Sequence, residues 1–261
     1  TNVVEPRLAV ITPVDFDHEA FLGSSLDQIA GEKAGILKPG IDAVIAPQRP
    51  EASVVIENRA AELKLVPDFV MQNEPTNVRV HAHGSQFEFR GLSILCPLAG
   101  SHQVINAATA AAALKHLGIS TAGIGQTVWP GRLETVTHYP EIILDGAHNP
   151  AGARALAAHI ERFYSGRTIW LIYGAMRDKS VEEITEVLFP LATHVIATAP
   201  RFARALRPEA LSEISSHPSI QVTEDLSHAI DAVRALALPT DVVFITGSLY
   251  LVGEARALLV K

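Results

Sequence analysis

The segment Leu144-Asp-Gly-Ala-His-Asn-Pro150 sets an acid and an imidazole three residues apart, between an apolar run and an Asn-Pro pair. Asn as an N-cap followed by Pro in the first turn is a strong helix-start signal. A strand ending at Asp145, with Gly146 and Ala147 in a tight turn, would present Asp145 and His148 at the carboxyl edge of a sheet. Open α/β sheets place their ligand sites there. Asp145 could accept from ribose hydroxyls, and His148 could orient a phosphate or an incoming amine. A purely structural strand–turn–helix needs Asn149 and Pro150 but neither the acid nor the imidazole, which favours the functional reading.

Two further segments carry metal chemistry in principle. Ile11-Thr-Pro-Val-Asp-Phe-Asp-His18 puts polar groups just past a short strand. Asp17 and His18 could bind a metal directly or through water, or could satisfy backbone groups of their own loop, and the loop reading is the commoner one. In Leu22–Leu37, Ser24 followed by Asp27 resembles a capping box. The apolar stripe Leu26, Ile29, Ala30, Leu37 has helical spacing. Lys33 falls on that stripe. A lysine facing the interior is costly unless paired, neutral or modified. A neutral amine can add carbon dioxide to give a carbamate, an anionic metal ligand. The alternative is a Lys33 that snorkels outward with only its stem buried, and the pattern alone favours it.

The remaining candidates are anion or nucleotide contacts. Gly100-Ser-His-Gln-Val-Ile-Asn106 opens an Ala-rich helix whose N-terminus and amide side chain could hold a base or phosphate, or could serve as a cap. In Trp129-Pro-Gly-Arg-Leu-Glu134, Arg132 could clamp a phosphate or carboxylate across an interdomain cleft. Arg132 and Glu134 could equally be surface hinge charges. Arg177-Asp-Lys179 and Gly247-Ser248 each follow a strand on the same expected edge as Asp145. Each could contact a carboxylate substrate or be an ordinary loop. Met176 and Trp170 read as packing residues.

The elements that must position these residues form two successive α/β patterns. In the first, strands are expected at 8–12, 43–46 and 65–70, helices at 24–37 and 51–64, and antiparallel strands between 78 and 94, with Gly84 and Gly91 as turn signals. The Ala-rich helix at 103–117 stops at Gly118. In the second, strands are expected at 142–144, 169–173, 194–197, 220–222 and 242–245. Helices alternate with them at 151–164, 181–191, 208–216 and 227–236, and a last one lies at 252–259. This alternation means a mostly parallel sheet covered on both faces. The boundary is expected within 131–140. The first strand comes at once, with no preceding α/β unit and no initiating Met, so the first domain is expected to lack its opening part.

Composition narrows the class. The 261 residues suffice for two domains, 19% are charged, and the formal net charge is −7. That balance argues against nucleic acid or an acidic membrane as partner. Cys96 is the single cysteine, so no intrachain disulfide forms and a reducing, cytoplasmic setting is expected. No apolar run is long enough to span a bilayer.

Taken together, these stretches resemble the folylpolyglutamate synthase/dihydrofolate synthase family of Mur ligases. The resemblance is carried by Ile11–His18, Leu22–Gly40, Gly100–Gln103 with Asn106, Trp129–Glu134 and Asp145–Pro150, in matching order over essentially the whole chain. It implies an α/β architecture in which residues 1–130 form part of a central ATPase domain and 131–261 a Rossmann-like glutamate-ligase domain. It implies that His18 is a magnesium ligand, that Lys33 is carbamylated, and that Asn106, Arg132 and Asp145 hold ATP. His148 lies in a matching motif as a further catalytic candidate, and Lys179 and Ser248 as substrate contacts. No GxxxxGK[ST] motif occurs in these residues. The family's Gly-rich phosphate loop is therefore expected to be missing, leaving half of an active site.

The activity so implied is ATP-dependent addition of L-glutamate to a folate or dihydropteroate carboxylate through an acyl phosphate, with Mg2+. The alternatives are a different Mur-type amino-acid ligase acting on a cell-wall precursor, and a non-catalytic chain that binds nucleotide or a partner.

Overall fold

The structure, a computed structural model, describes residues 3–16, 25–177 and 180–260. Two compact units, Thr1–Val128 and Trp129–Lys261, divide the chain.

In the first unit, β1 (Ala9–Ile11), β2 (Ala43–Ile45) and β3 (Asp68–Phe69) form a parallel sheet in that order. The helices α1 (Leu26–Ala34) and α2 (Pro50–Glu62) pack on the face carrying Ala43 and Ile45. The opposite face, carrying Val44, meets α3 (His102–His116) and the antiparallel sheet β4 (Thr76–His81), β5 (Gly84–Phe89), β6 (Leu92–Cys96). The small side chains Ala107, Ala108, Ala111 and Ala112 are buried, so α3 can approach Val44, Phe87 and Phe89 closely. Gly91 turns the β5–β6 hairpin with φ +79°. Gly84 does not turn the chain; it begins β5, where a Cβ would lie 2.7 Å from the Cys96 carbonyl oxygen. Arg90, at the β5–β6 turn, reaches Asp68 bidentately at 2.7 and 2.8 Å and also binds Glu74, tying hairpin to parallel sheet.

The second unit has one six-stranded sheet built from β7 (Glu134–His138), β8 (Glu141–Leu144), β9 (Ile169–Tyr173), β10 (His194–Ala197), β11 (Ile220–Val222) and β12 (Val242–Thr246). Their order is β11-β10-β9-β12-β8-β7, parallel except for the β7–β8 pair. The apolar runs Ile169–Tyr173 and Val242–Thr246 are buried along their whole length, as strands covered on both faces must be. The helices of this unit are α4 (Pro150–Phe163), α5 (Val181–Leu188), the short α6 (Pro208–Ile214), α7 (Leu226–Leu236) and α8 (Leu249–Leu259), of which α4 and α8 bear on the site. Residues of α7 and α8 pack on Ile142, Leu144, Trp170, Ile172, Val243 and Ile245. Phe244 points the other way, edge-on to Tyr164 at the end of α4. Trp170 is buried and donates to Asp241, and Met176 is buried, both as packing residues.

Two local differences from the expected elements have clear causes. The helix from Val181 stops at Leu188 and continues as a single 3-10 turn, Phe189–Leu191, because Pro190 has no N–H to continue an α-helix. Strand β7 occupies a stretch that the sequence reading passes over. Its alternating Thr135, Val136, Thr137 is half-buried at a sheet edge, and no apolar run marks it.

Candidate functional site

The helices that follow β8 and β12 set the site. These strands are neighbours, with Leu144 paired to Ile245. The chain leaves β8 into α4 and leaves β12 into α8, and those two helices lie on opposite faces of the sheet. Neighbouring parallel strands whose connections diverge in this way open a crevice beyond their carboxyl ends. Asp145–Asn149 and Gly247–Ser248 line that crevice.

Asp145 is buried, and each of its oxygens accepts a backbone N–H. Ala147 donates to Oδ1 at 2.9 Å and Leu133 to Oδ2 at 3.0 Å. Burial pushes its carboxyl up to about 6, against the two backbone donors and the Arg132 charge, which pull it down. The ribose-acceptor reading therefore needs the second lone pairs of oxygens already engaged.

The Leu133 donor comes from a loop of unusual shape. Gly131 has φ +69° and Leu133 φ +49°, so both residues flanking Arg132 are left-handed. A Cβ on Gly131 would sit 2.7 Å from Val252 Cγ1, so glycine is required there for space as well as conformation. The Gly131 carbonyl accepts from Gly146 N–H at 2.8 Å. A Cβ on Gly146 would collide with Leu249 and come within 2.6 Å of Arg132 Nη1, so the guanidinium lies directly against the Asp145 turn. Glu134 closes the loop. Its Oε2 accepts from Gly131 N–H at 2.8 Å, and its Oε1 accepts from Arg256 Nε at 3.0 Å. Glu134 is thus half-buried and doubly bonded, and the hinge-charge reading of it does not hold.

His148 is half-buried, and its Nδ1 lies 2.7 Å from the Gly146 carbonyl. A carbonyl oxygen can only accept, so Nδ1 carries the proton, and in the neutral ring Nε2 holds the lone pair. Asn149 Oδ1 accepts from Gly152 N–H at 2.8 Å, the expected N-cap of α4. Ser248 is buried and caps α8, accepting from Tyr250 N–H at 3.1 Å. Gly247, at φ +102°, donates its N–H to the Ala147 carbonyl at 3.0 Å, which binds the β12 loop to the Asp145 turn. Arg177 is exposed and donates through Nε to the Ala205 carbonyl. Arg132, Asp145, His148 and Ser248 are accordingly assembled on one edge.

The two described first-unit candidates, Asn106 and Lys33, are not brought together. Asn106 is exposed and donates to Gln103 Oε1 at 2.9 Å on its own helix. Lys33 belongs to α1, on the other face of the parallel sheet from α3. The interior-facing reading of Lys33 is corrected by the structure. Ala34, one residue on, takes the buried position beside Ile29 and Ala30, and Lys33 is exposed in the last turn, where its charge favours the helix dipole. Ser25, not Ser24, is the N-cap, accepting from Gln28 N–H. Asp17, His18, Ser24 and Lys179 lie outside the described residues.

Among the described residues no group of three or more His, Cys, Asp or Glu side chains could hold a metal. An exposed Lys33 ammonium is not a metal ligand either. The described residues do not by themselves fit a magnesium site. Two residues beyond the sequence reading hold the loops in place. Gln48 accepts from Val14 N–H and donates to the Thr12 and Ala46 carbonyls, pinning the segment after β1. Arg256 anchors Glu134. Neither has a motif around it that could have marked it.

Comparison with known proteins agrees with this architecture. Residues 1–114 match the Mur ligase middle domain and residues 131–249 the glutamate ligase domain of Mur ligases, and the chain belongs to the Mur ligase family. It is 34% identical to the dihydrofolate synthase/folylpolyglutamate synthase of Bacillus subtilis (strain 168), over 98% of this chain and 63% of that protein. It is 32% identical to the Mycobacterium tuberculosis protein of the same description, over 99% of this chain and 61% of that protein. Among solved structures, Mycobacterium tuberculosis folylpolyglutamate synthase complexed with ADP superposes with a TM-score of 0.90 at 30% identity, covering all of this chain and 65% of that one. E. coli FolC in complex with DHPP and ADP superposes at 0.85 with 26% identity, over 98% of this chain and 62% of that one. The chain thus spans less than two thirds of the length of these relatives. Among the described residues no helix is long and apolar enough to cross a membrane.

Proposed function

We propose that these 261 residues carry the middle and glutamate-ligase portions of an ATP-dependent enzyme that adds L-glutamate to a folate or dihydropteroate carboxylate. In that reaction a carboxylate oxygen of the acceptor attacks the γ-phosphorus of ATP, giving an acyl phosphate and ADP. The glutamate nitrogen then attacks the acyl carbon, phosphate leaves with the C–O bonding pair, and the nitrogen loses a proton. The observation that supports this reading best is the convergence of Arg132, Asp145, His148 and Ser248 on the crevice beyond β8 and β12. Arg132 would offset charge on the phosphates. Asp145 would bear on the nucleotide through the loop it organises, and His148 would take the amine proton. Ser248, and Lys179 outside the described residues, would meet the amino-acid carboxylate, with Asn106 a nucleotide contact from the first unit.

Magnesium belongs to this reading through the family resemblance, with His18 and a carbamylated Lys33 as its ligands, and none of the steps above depends on it. A cytoplasmic setting goes with the same reading. The lack of a GxxxxGK[ST] motif in these residues favours a second reading, a chain that binds nucleotide without turnover. The test is ATP turnover with magnesium, glutamate, bicarbonate and either dihydropteroate or tetrahydrofolate. The 261-residue chain is compared with one extended upstream by a Gly-rich phosphate loop. Turnover only in the extended chain supports the ligase reading. ADP binding with no turnover in either chain favours the second. Turnover with cell-wall precursors in place of folates would point to a different Mur-type ligase.

A further inference from the structure

Arg132 is flanked by two left-handed residues, and each of them has its N–H held by a carboxylate. Asp145 holds the Leu133 N–H and Glu134 the Gly131 N–H. Left-handed backbone is unfavourable for a residue with a side chain, so Leu133 keeps φ +49° only because the surroundings over-determine it. Leu133 is itself buried, its N–H is taken by Asp145, and the next residue is Glu134. Glu134 is in turn oriented by Arg256 from α8, so its carboxylate has both a fixed direction and a balanced charge. A carboxylate–N–H bond is charge-assisted and stronger than the neutral bond it replaces. The two carboxylates therefore act as clamps on either side of one arginine, and that arginine lies against Gly146.

We propose that Glu134, held by Arg256, is a positioning residue that places the Arg132 guanidinium against the Asp145 turn. This rests on the nucleotide reading only for what Arg132 meets; the placement itself is a property of the loop. Substitution of Glu134 leaves the Gly131 N–H without its acceptor, frees the Trp129–Leu133 segment to leave the left-handed conformation, and lets Arg132 swing away from Gly146.

The test combines amide hydrogen exchange with titration of ADP into the full chain. In Glu134→Ala, exchange at the Gly131 and Leu133 amides is expected to quicken about tenfold or more, while amides of β9 and β12 keep their protection. ADP affinity is expected to fall about tenfold in the same variant and by no further factor in an Arg132→Ala background, as one shared role requires. Glu134→Gln keeps an oxygen acceptor for Gly131 but loses the Arg256 pairing, so an intermediate effect is expected; it carries the comparison if the alanine variant fails to fold. Unchanged exchange at Gly131 and Leu133 overturns the proposal. An equal loss of ADP affinity with and without Arg132 overturns it too, since the effect would then not pass through Arg132. If neither the unsubstituted chain nor the one extended upstream by a Gly-rich phosphate loop binds ADP, the nucleotide reading falls, and the exchange rates alone decide the placement.

Discussion

Leu133 donates its backbone N–H to Asp145 Oδ2 across twelve residues of sequence, and this one bond joins the two motifs of the second unit that carry candidate chemistry. Asp145 spends its other oxygen on Ala147, so the carboxylate organises both its own turn and the loop bearing Arg132. A buried acid is tolerated when its acceptors are filled, and here backbone donors fill them. The role this gives Asp145 is to hold Arg132, His148 and the α4 N-terminus in one arrangement.

Gly131→Ala should be among the most damaging single changes in the second unit. The added methyl meets Val252 Cγ1 at 2.7 Å on a backbone with φ +69°, so steric and conformational penalties add. A loss of about 2–3 kcal/mol is expected from denaturant unfolding. In a Val252→Ala background the steric part disappears, and the same substitution should cost only about 1 kcal/mol. Equal costs in both backgrounds would show that Val252 is not the obstacle.

Arg90→Met should weaken the first unit and make its acid denaturation shallower. Arg90 holds the carboxyls of Asp68 and Glu74 below their ordinary values, chiefly by hydrogen bonding to each. A lowered native pKa stabilises the fold above the unfolded value, and that contribution is lost as pH falls through the native one. The variant is expected to lose about 1–3 kcal/mol at neutral pH, with a smaller loss at pH 3, because the partnership is already dissolving there. Chemical denaturation at the two pH values measures the difference.

Much of the second unit was legible because its strands are continuous apolar runs such as Ile169–Tyr173, which can be satisfied only by burial on both faces. The Asn149-Pro150 helix start was legible for a similar reason, since its signal is local. What escaped depends on partners far along the chain or on conformations that residue type disguises. Leu133 gives no hint of a left-handed φ, because leucine avoids that region unless its neighbours impose it. Lys33 and Ala34 lie 100° apart on one helix, so spacing alone cannot say which of them faces the sheet. Strand β7 was missed because edge position and antiparallel pairing leave it half-polar, next to Gly131 and Pro140.

Asn149→Ala and Ser248→Ala test the two caps that flank the crevice. Each side-chain oxygen accepts a backbone N–H in the first turn of its helix, α4 or α8. Each substitution should cost about 1 kcal/mol of stability. Ser248 is also buried against the β12 loop, so its loss should exceed that of an exposed cap. If Ser248→Ala is neutral in thermal unfolding while ADP or glutamate binding falls, its hydroxyl serves the ligand and not α8.

Asp145→Asn should alter how stability varies with pH in one definite direction. Burial raises the Asp145 carboxyl from an ordinary 3.8 to about 6 in the folded chain. The folded state then binds more protons than the unfolded state between those values, so stability from this group is fully present below about 4 and is lost as pH rises through about 6. The unsubstituted chain is expected to lose up to about 3 kcal/mol across that window from this group alone. Asparagine cannot ionise, so the step near pH 6 should vanish from the difference curve. It will not be a neutral change at low pH, however. Its amide nitrogen is a donor where one of the two backbone donors, Leu133 or Ala147, needs an acceptor, which leaves a buried N–H unsatisfied at a cost of about 1–3 kcal/mol. The variant should therefore be less stable than the parent at pH 4, with the gap narrowing by pH 7. Urea unfolding in half-unit pH steps reads both features, and a gap that stays constant with pH would mean that Asp145 does not titrate in this range.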